Sequence, residues 1–200
     1  MAMSDLLFAN HLSFARLLWG QLLKLGDLAI DATCGNGHDT LALSKLVLTP
    51  VAGKVIGCDI QQTALENTRE RLKEQLLPHQ LKRIELHLIS HAAITSIIGD
   101  ESPRLVVFNL GYLPGGDKSL TTRLETTLEA LRHLLPLVQK GGAISLTCYP
   151  GHPEGEREER ALLEFAKRDL PSHWIPSHHR WPRQERSPSL LFLQCAGGSL

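Results

Sequence analysis

The sequence predicts an α/β domain built on a mainly parallel sheet with helices on both faces, and three observations predict it. Strand-like and helix-like segments alternate along the chain from Asp27 onward, and neighbouring parallel strands require helical crossovers. A glycine-bearing turn, Cys34-Gly35-Asn36-Gly37, closes the first strand, and Asp59 lies 22 residues beyond Gly37 at the end of the second. The last two strand-like stretches have only Pro182 to Pro188 between them, so they pair antiparallel as a hairpin at one edge.

Asp27 to Thr33 reads as a buried strand, because Leu28, Ala29, Ile30 and Ala32 run together. A helix follows over about Asp39 to Leu48, then a strand at Lys54 to Cys58. Thr63-x-x-Glu66 forms a capping-box pattern for a second helix that Pro78 stops after Leu77. Ile84 to Ile89 and Leu105 to Leu110 make the third and fourth strands. Leu120, Leu124, Leu128, Leu131, Leu135 and Val138 mark one face of a long helix that Gly141-Gly142 ends. Ala143 to Cys148 is the fifth strand. Pro153 with Glu154, Glu156 and Glu158 opens a helix whose apolar face is Ala161, Leu162, Phe165 and Ala166. The closing strands lie around Trp174 to Trp181 and Leu190 to Cys195. Residues 1–200 form one domain, with an N-terminal helix over about residues 5–25.

Composition excludes several classes of function. The chain has 200 residues, 42% hydrophobic, with 21 basic against 21 acidic side chains. A real core is affordable, and a strongly basic nucleic-acid coat is absent. Aliphatic or aromatic runs reach only about four residues, far short of the roughly 18 a membrane span needs. No basic leader precedes the first apolar stretch, so a cytoplasmic location is expected. Cys34, Cys58, Cys148 and Cys195 lack paired spacing and read as reduced, packed thiols. The 10 histidines form no metal-ligand spacing, and adjacent His178 and His179 point to opposite sides of a strand; no metal is expected.

In open parallel sheets ligands sit beyond the carboxyl ends of the strands, which here means the Asp31 to Thr40 turn. Gly35 and Gly37 permit tight bending and close approach, and Asp59 is placed to accept ribose hydroxyls. A dinucleotide fingerprint would carry a third glycine where Asp39-Thr40 stands. Carboxylates at Asp31 and Asp39 repel a pyrophosphate and suit a cationic ligand, so S-adenosylmethionine is favoured over NAD. The bland alternative for both aspartates is a capping or turn role. On the acceptor side, Asn109 closes the fourth strand before a Gly-rich loop containing Tyr112, offering a carbonyl acceptor and a stacking face to an amine.

Four segments together resemble a known family: D-A-T-C-G-N-G-H-D-T from Asp31, C-D-I-Q from Cys58, N-L-G-Y-L-P-G-G-D-K from Asn109 and Y-P-G-H-P-E-G from Tyr149. They are similar to the YtqB-like, or MnmM, class I methyltransferases, over about Gly26 to Leu193. The resemblance implies a Rossmann-like class I fold with a seven-stranded sheet. It implies methyl transfer from S-adenosylmethionine to the aminomethyl group of 5-aminomethyl-2-thiouridine at the wobble position of tRNA. Ribosomal RNA or a small amine is the alternative acceptor; a non-catalytic RNA-binding module or an NAD-dependent oxidoreductase is the alternative class.

Carried over by position, Asp31, Thr33, Gly35, Asn36, Gly37, His38, Asp39 and Thr40 form the methionine-side loop. Asp59, Ile60 and Gln61 form the ribose site, Ser90 and His91 the adenine side, and Asn109 borders the cofactor. Asn109, Tyr112 and His152 are the catalytic candidates; Gly115, Gly116, Asp117 and Lys118 are substrate candidates. His91 alone reads as a surface turn histidine, and His11 as a structural one. Lys167 to Arg186 mixes five basic residues with histidines and tryptophans, which suits RNA phosphates and bases through Arg180, Arg183 and Arg186. A chain this small has little surface for a folded tRNA, so a homodimer is expected.

Overall fold

The computed structural model describes residues 7–111, 121–181 and 187–196. Its sheet has seven strands in the order β3-β2-β1-β4-β5-β7-β6. They are β1 (Leu28–Asp31), β2 (Lys54–Asp59), β3 (Ile84–Leu88), β4 (Leu105–Asn109), β5 (Ala143–Cys148), β6 (Trp174–Arg180) and β7 (Ser189–Cys195). The first five are mutually parallel, and β7 inserts antiparallel between β5 and the edge strand β6. The expected terminal hairpin is therefore present, with its second strand inside the first.

The helices are α1 (His11–Leu22), α2 (His38–Val47), α3 (Gln62–Gln75), α4 (Pro78–Leu81), α5 (Thr95–Ile98), α6 (Leu124–Leu134) and α7 (Pro153–Arg168). Strand side chains alternate between two cores, as a period of two demands. Ile30, Ile56, Val106, Phe108, Ile144 and Leu146 meet α5, α6 and α7 on one face. Ala29, Val55, Leu105, Val107 and Ala143 meet α1 and α2 on the other. Trp19 of α1 donates its indole N–H to Ser145 Oγ of β5 at 3.0 Å, both groups buried. That bond satisfies two polar groups whose burial alone would be costly.

Three sequence expectations need correction. The second helix is not capped by Thr63: its cap is Gln61, and no side chain caps it. Asp59 Oδ1 already accepts the Gln61 N–H at 2.9 Å, so the turn is fixed two residues earlier. Pro78 does not merely stop a helix but opens α4 as its first residue, where its missing N–H costs nothing. The expected helix marked by Leu120 to Val138 runs from Leu124 to Leu134; residues 121–123 before it are not helical, and Leu120 lies outside the described residues. Leu135 and Val138 remain buried in the following turn, which prolongs the apolar spacing past the helix. All four cysteines are buried and free.

Candidate active site

The carboxyl ends of β1, β2 and β4 open into a cleft of 1470 Å³. Its floor is the turn after β1. Gly35 and Gly37 adopt φ of 52° and 75°, the left-handed region that glycine enters without steric cost. At Gly37 space also selects glycine, because a Cβ would lie 2.8 Å from Thr68 Cα. Arg71 of α3 donates to the Asn36 carbonyl at 2.6 Å, which pins the turn against that helix.

Asp59 ties two strand ends together. Its Oδ2 accepts the Gly35 N–H at 2.9 Å, and its Oδ1 accepts the Gln61 N–H at 2.9 Å. Each oxygen keeps further acceptor capacity, and Asp59, Ile60 and Gln61 all line the cleft. The carboxylate is thus held in one orientation, with lone pairs left over.

The other two aspartates differ. Asp31 is fully buried; it accepts from Thr40 Oγ1 at 2.6 Å and from the Thr33 N–H at 3.2 Å. Burial, then the charge of Asp39, pushes its carboxyl up to about 7. Asp31, Gly37 and Thr40 stand behind the wall of the cleft, whereas Thr33, Gly35, Asn36, His38 and Asp39 line it. Asp39 is clamped from two sides: Arg16 of α1 reaches Oδ1 at 2.7 Å, and Asn109 Nδ2 donates to Oδ2 at 3.1 Å. Arg16 therefore offsets much of the negative charge that the turn shows in the sequence. It is the one Lys or Arg between His11 and Leu22, a signal that sequence reading passed over.

Asn109 is fixed more firmly than its loop setting suggests. Its N–H donates to Thr33 Oγ1 at 2.7 Å, and its amide nitrogen is held by Asp39. Among the described residues its Oδ1 is shielded from solvent and has no hydrogen-bond partner. A buried acceptor without a donor is rare and costs free energy. Tyr149 closes the same wall, its hydroxyl 3.2 Å from His11 Nε2. Burial pushes the Tyr149 phenol up to about 12 and the His11 imidazolium down. Tyr149 therefore stays protonated and acts by hydrogen bonding. His152 lines the cleft but also caps α7, its Nδ1 accepting from the Gly155 N–H at 3.1 Å.

After β3, Ser90 Oγ caps a short helical turn, His91–Ala93, through the Ala92 N–H at 3.2 Å. His91 is not a surface turn residue. It is 7% exposed, lies edge-on to Phe108 with ring centroids 5.7 Å apart, and bonds Thr126 Oγ1 at 3.1 Å. Burial brings it down to about 4, so it serves the cleft as a neutral imidazole.

On the acceptor side, Tyr112, Gly115, Gly116, Asp117, Lys118, Arg183 and Arg186 lie outside the described residues. Arg180 is paired with the buried carboxylate of Glu159, which reduces what it can offer a phosphate. Trp174 is 4% exposed and belongs to the core, and Lys167 and Arg168 both pair with Glu164. His178 faces Glu159 while His179 packs against Phe14, on opposite sides of β6 as expected. Thr122, Arg123 and Thr126 of the α6 entry line the cleft with Pro188; their spread along the chain hid them from motif reading. Among the described residues no group of three His, Cys, Asp or Glu is arranged to hold a metal.

This sheet order, with a glycine turn after β1 and a backbone-anchored carboxylate at the end of β2, defines a domain of the S-adenosylmethionine-dependent methyltransferase class. The family described as "Putative rRNA methylase" matches residues 55–194, and the chain belongs to that family. It is 39% identical over 184 residues to the chloroplastic tRNA (mnm(5)s(2)U34)-methyltransferase of Arabidopsis thaliana, covering 90% of this chain and 67% of the relative. A "putative rRNA-methylase" from Clostridium thermocellum superposes with a TM-score of 0.87 at 35% identity, over 94% of this chain and 99% of the other. SMU.1697c from Streptococcus mutans, a "putative methyltransferase" solved with S-adenosylhomocysteine, gives 0.80 at 32% identity, over 94% and 98%.

Proposed function

We propose that this protein transfers a methyl group from S-adenosylmethionine to the aminomethyl group of a modified wobble uridine in tRNA, converting 5-aminomethyl-2-thiouridine to its methylamino form. The observation that carries the reading is Asn109 Oδ1, a buried acceptor without a donor at the carboxyl end of β4. The Arabidopsis relative, named for a modified wobble uridine of tRNA, supplies the substrate class.

The residues present fit the cofactor. Asp59 would receive the ribose hydroxyls, and the Asp39 carboxylate would face the cationic end, with Asp31 behind it. When bound, S-adenosylmethionine supplies an electrophilic methyl on its sulfonium. The rest of the work is positioning: an in-line displacement needs a neutral amine held close and aligned. Asn109 Oδ1 would accept an amine N–H and so orient the nitrogen. Tyr149, neutral, adds no charge to that wall. His152 also lines the cleft, its Nδ1 taken up by the Gly155 N–H.

The reading extends to one domain over the whole chain, recognition of the anticodon region, a homodimer and a cytoplasmic location. No described helix is long and apolar enough to cross a membrane. The deciding experiment incubates the purified protein with S-adenosylmethionine and tRNA bearing 5-aminomethyl-2-thiouridine, followed by nucleoside mass spectrometry. One added methyl on that nucleoside is expected. S-adenosylhomocysteine binding with no transfer to this tRNA, or transfer to ribosomal RNA instead, would overturn the assignment. Light scattering tests the dimer.

A further inference from the structure

Two adjacent carboxylates on α7, Glu158 and Glu159, are 4% and 6% exposed, and neither belongs to the cofactor half of the cleft. Glu158 Oε2 accepts from Thr122 Oγ1 at 2.9 Å, and its Oε1 accepts from Thr127 Oγ1 at 2.8 Å. Thr122 is in turn locked to Gly111. The Gly111 N–H donates to Thr122 Oγ1 at 2.9 Å, and the Thr122 N–H donates to the Gly111 carbonyl at 2.9 Å. Gly111 is two residues after Asn109, so the end of β4 and the entry to α6 are clasped together, with Glu158 holding the clasp.

Glu159 points to a different neighbour, as successive helix residues do at about 100° per residue. Its carboxylate pairs with Arg180 at the end of β6 and accepts from Ser189 Oγ at the start of β7. His178 Nε2 lies 3.6 Å away. Pro188, beside Ser189, lines the cleft. One helix thus fixes both chain segments that border the cleft opposite the ribose site, and its own N-terminal residues Gly151, His152 and Glu154 line the cleft between them. Burying two carboxylates side by side is a poor way to gain stability, since apolar residues of similar volume usually serve as well or better. Their retention is explained by the geometry they impose.

We propose that Glu158 and Glu159 are positioning residues for the methyl acceptor, with Glu158 setting Gly111 and Thr122 and Glu159 setting the β6–β7 end. This rests on the amine-methyltransferase reading above. The test compares Glu158→Ala, Glu158→Gln, Thr122→Val and Glu159→Gln with the unaltered chain. The readouts are S-adenosylhomocysteine affinity, KM and kcat with aminomethyl tRNA, and amide exchange at Gly111 and Thr122. Glu158→Ala is expected to keep cofactor affinity, to lose about tenfold or more in kcat/KM for tRNA, and to exchange those two amides faster. Glu158→Gln should recover most of the loss: its carbonyl can accept from Thr122 while its NH2 meets Thr127, whose hydroxyl can turn to the Arg123 carbonyl at 3.1 Å. Thr122→Val, which leaves Glu158 in place, should match Glu158→Ala and stands in for it if that variant does not fold. Glu159→Gln should raise KM for tRNA with little change in cofactor affinity.

Unchanged kcat/KM in Glu158→Ala and Thr122→Val, or a parallel fall in cofactor affinity, overturns the proposal. If the unaltered chain fails to methylate this tRNA, the substrate reading falls by itself. The exchange measurement then still decides the clasp: equal rates at Gly111 and Thr122 in variant and unaltered chain sink it.

Discussion

The two halves of the cleft are built by different means. The cofactor half is local: a turn of four residues, a carboxylate 24 residues after Gly35 that accepts its N–H, and a helix packed behind. Its key contacts are backbone amides meeting one side chain. The proposed acceptor half is assembled from β4, the α6 entry, α7 and the β6–β7 end, joined by side-chain bonds that span 11 to 36 residues. Backbone-built sites tolerate little change at any one position but depend on few positions. Side-chain clasps spread the demand over many residues.

That contrast is broken most severely at Gly37. Gly37→Val places a branched side chain against Thr68 in a left-handed backbone, costing about 1–2 kcal/mol for the conformation alone before the clash is counted. Calorimetric titration is expected to show no S-adenosylhomocysteine binding, and normal binding would mean that the turn is not the cofactor loop. Asn109→Ala comes next. It removes the orphaned acceptor, so the rate at saturating tRNA and cofactor should fall roughly ten- to a thousandfold, or about 1.4 to 4 kcal/mol. Because the amide nitrogen also holds Asp39, a smaller loss of cofactor affinity accompanies it; equal losses would move Asn109 wholly into the cofactor half.

Asp59→Ala should weaken cofactor binding by about 1.5 to 3 kcal/mol with the fold intact. Part of that loss comes from freeing Gly35 and Gln61, so Asp59→Asn, which can still accept one amide, should recover some of it. Unchanged affinity in Asp59→Ala places the ribose elsewhere.

The smallest effect is expected at Asp31, and it is one of pH. With its carboxyl raised to about 7 by burial, the folded chain holds a proton that the unfolded chain releases near pH 4. The stability this group contributes is complete below about pH 4 and declines as pH rises through 7. Asp31→Asn lacks that decline, so its urea midpoint should gain on the unaltered chain between pH 5 and pH 7.5, and a constant difference would show that Asp31 does not titrate there.

The same contrast explains what the sequence discloses. β5 is legible to the residue, Ala143 to Cys148, because Gly141-Gly142 and Pro150 bracket a short stretch in which Ile144, Leu146 and Cys148 recur at every second position. The turn and Asp59 are legible because their spacing is local. Arg16, Thr122 and Glu158 are not. Arg16 sits on a helix read for its apolar face, and Glu158 reads as part of an acidic first turn, although it lies beyond that turn and inside the protein. His91 misleads for a related reason: a histidine after a strand looks exposed until Phe108 and Thr126 are brought over it.

The order of the sheet also governs how the molecule behaves in a crowd of its own copies. Its rims are β3 and β6, and an open strand invites backbone pairing with a neighbour. β6 carries Pro176, which lacks an N–H to give such a neighbour. β3 carries Glu85 and His87, with Glu85 drawn to Lys54 of the adjoining strand at 3.0 Å. Each rim therefore meets an approaching strand with a missing donor or a fixed charge, and the most hydrophobic strands stay in the middle. Resistance to aggregation is thus written into the two strands farthest from the chemistry.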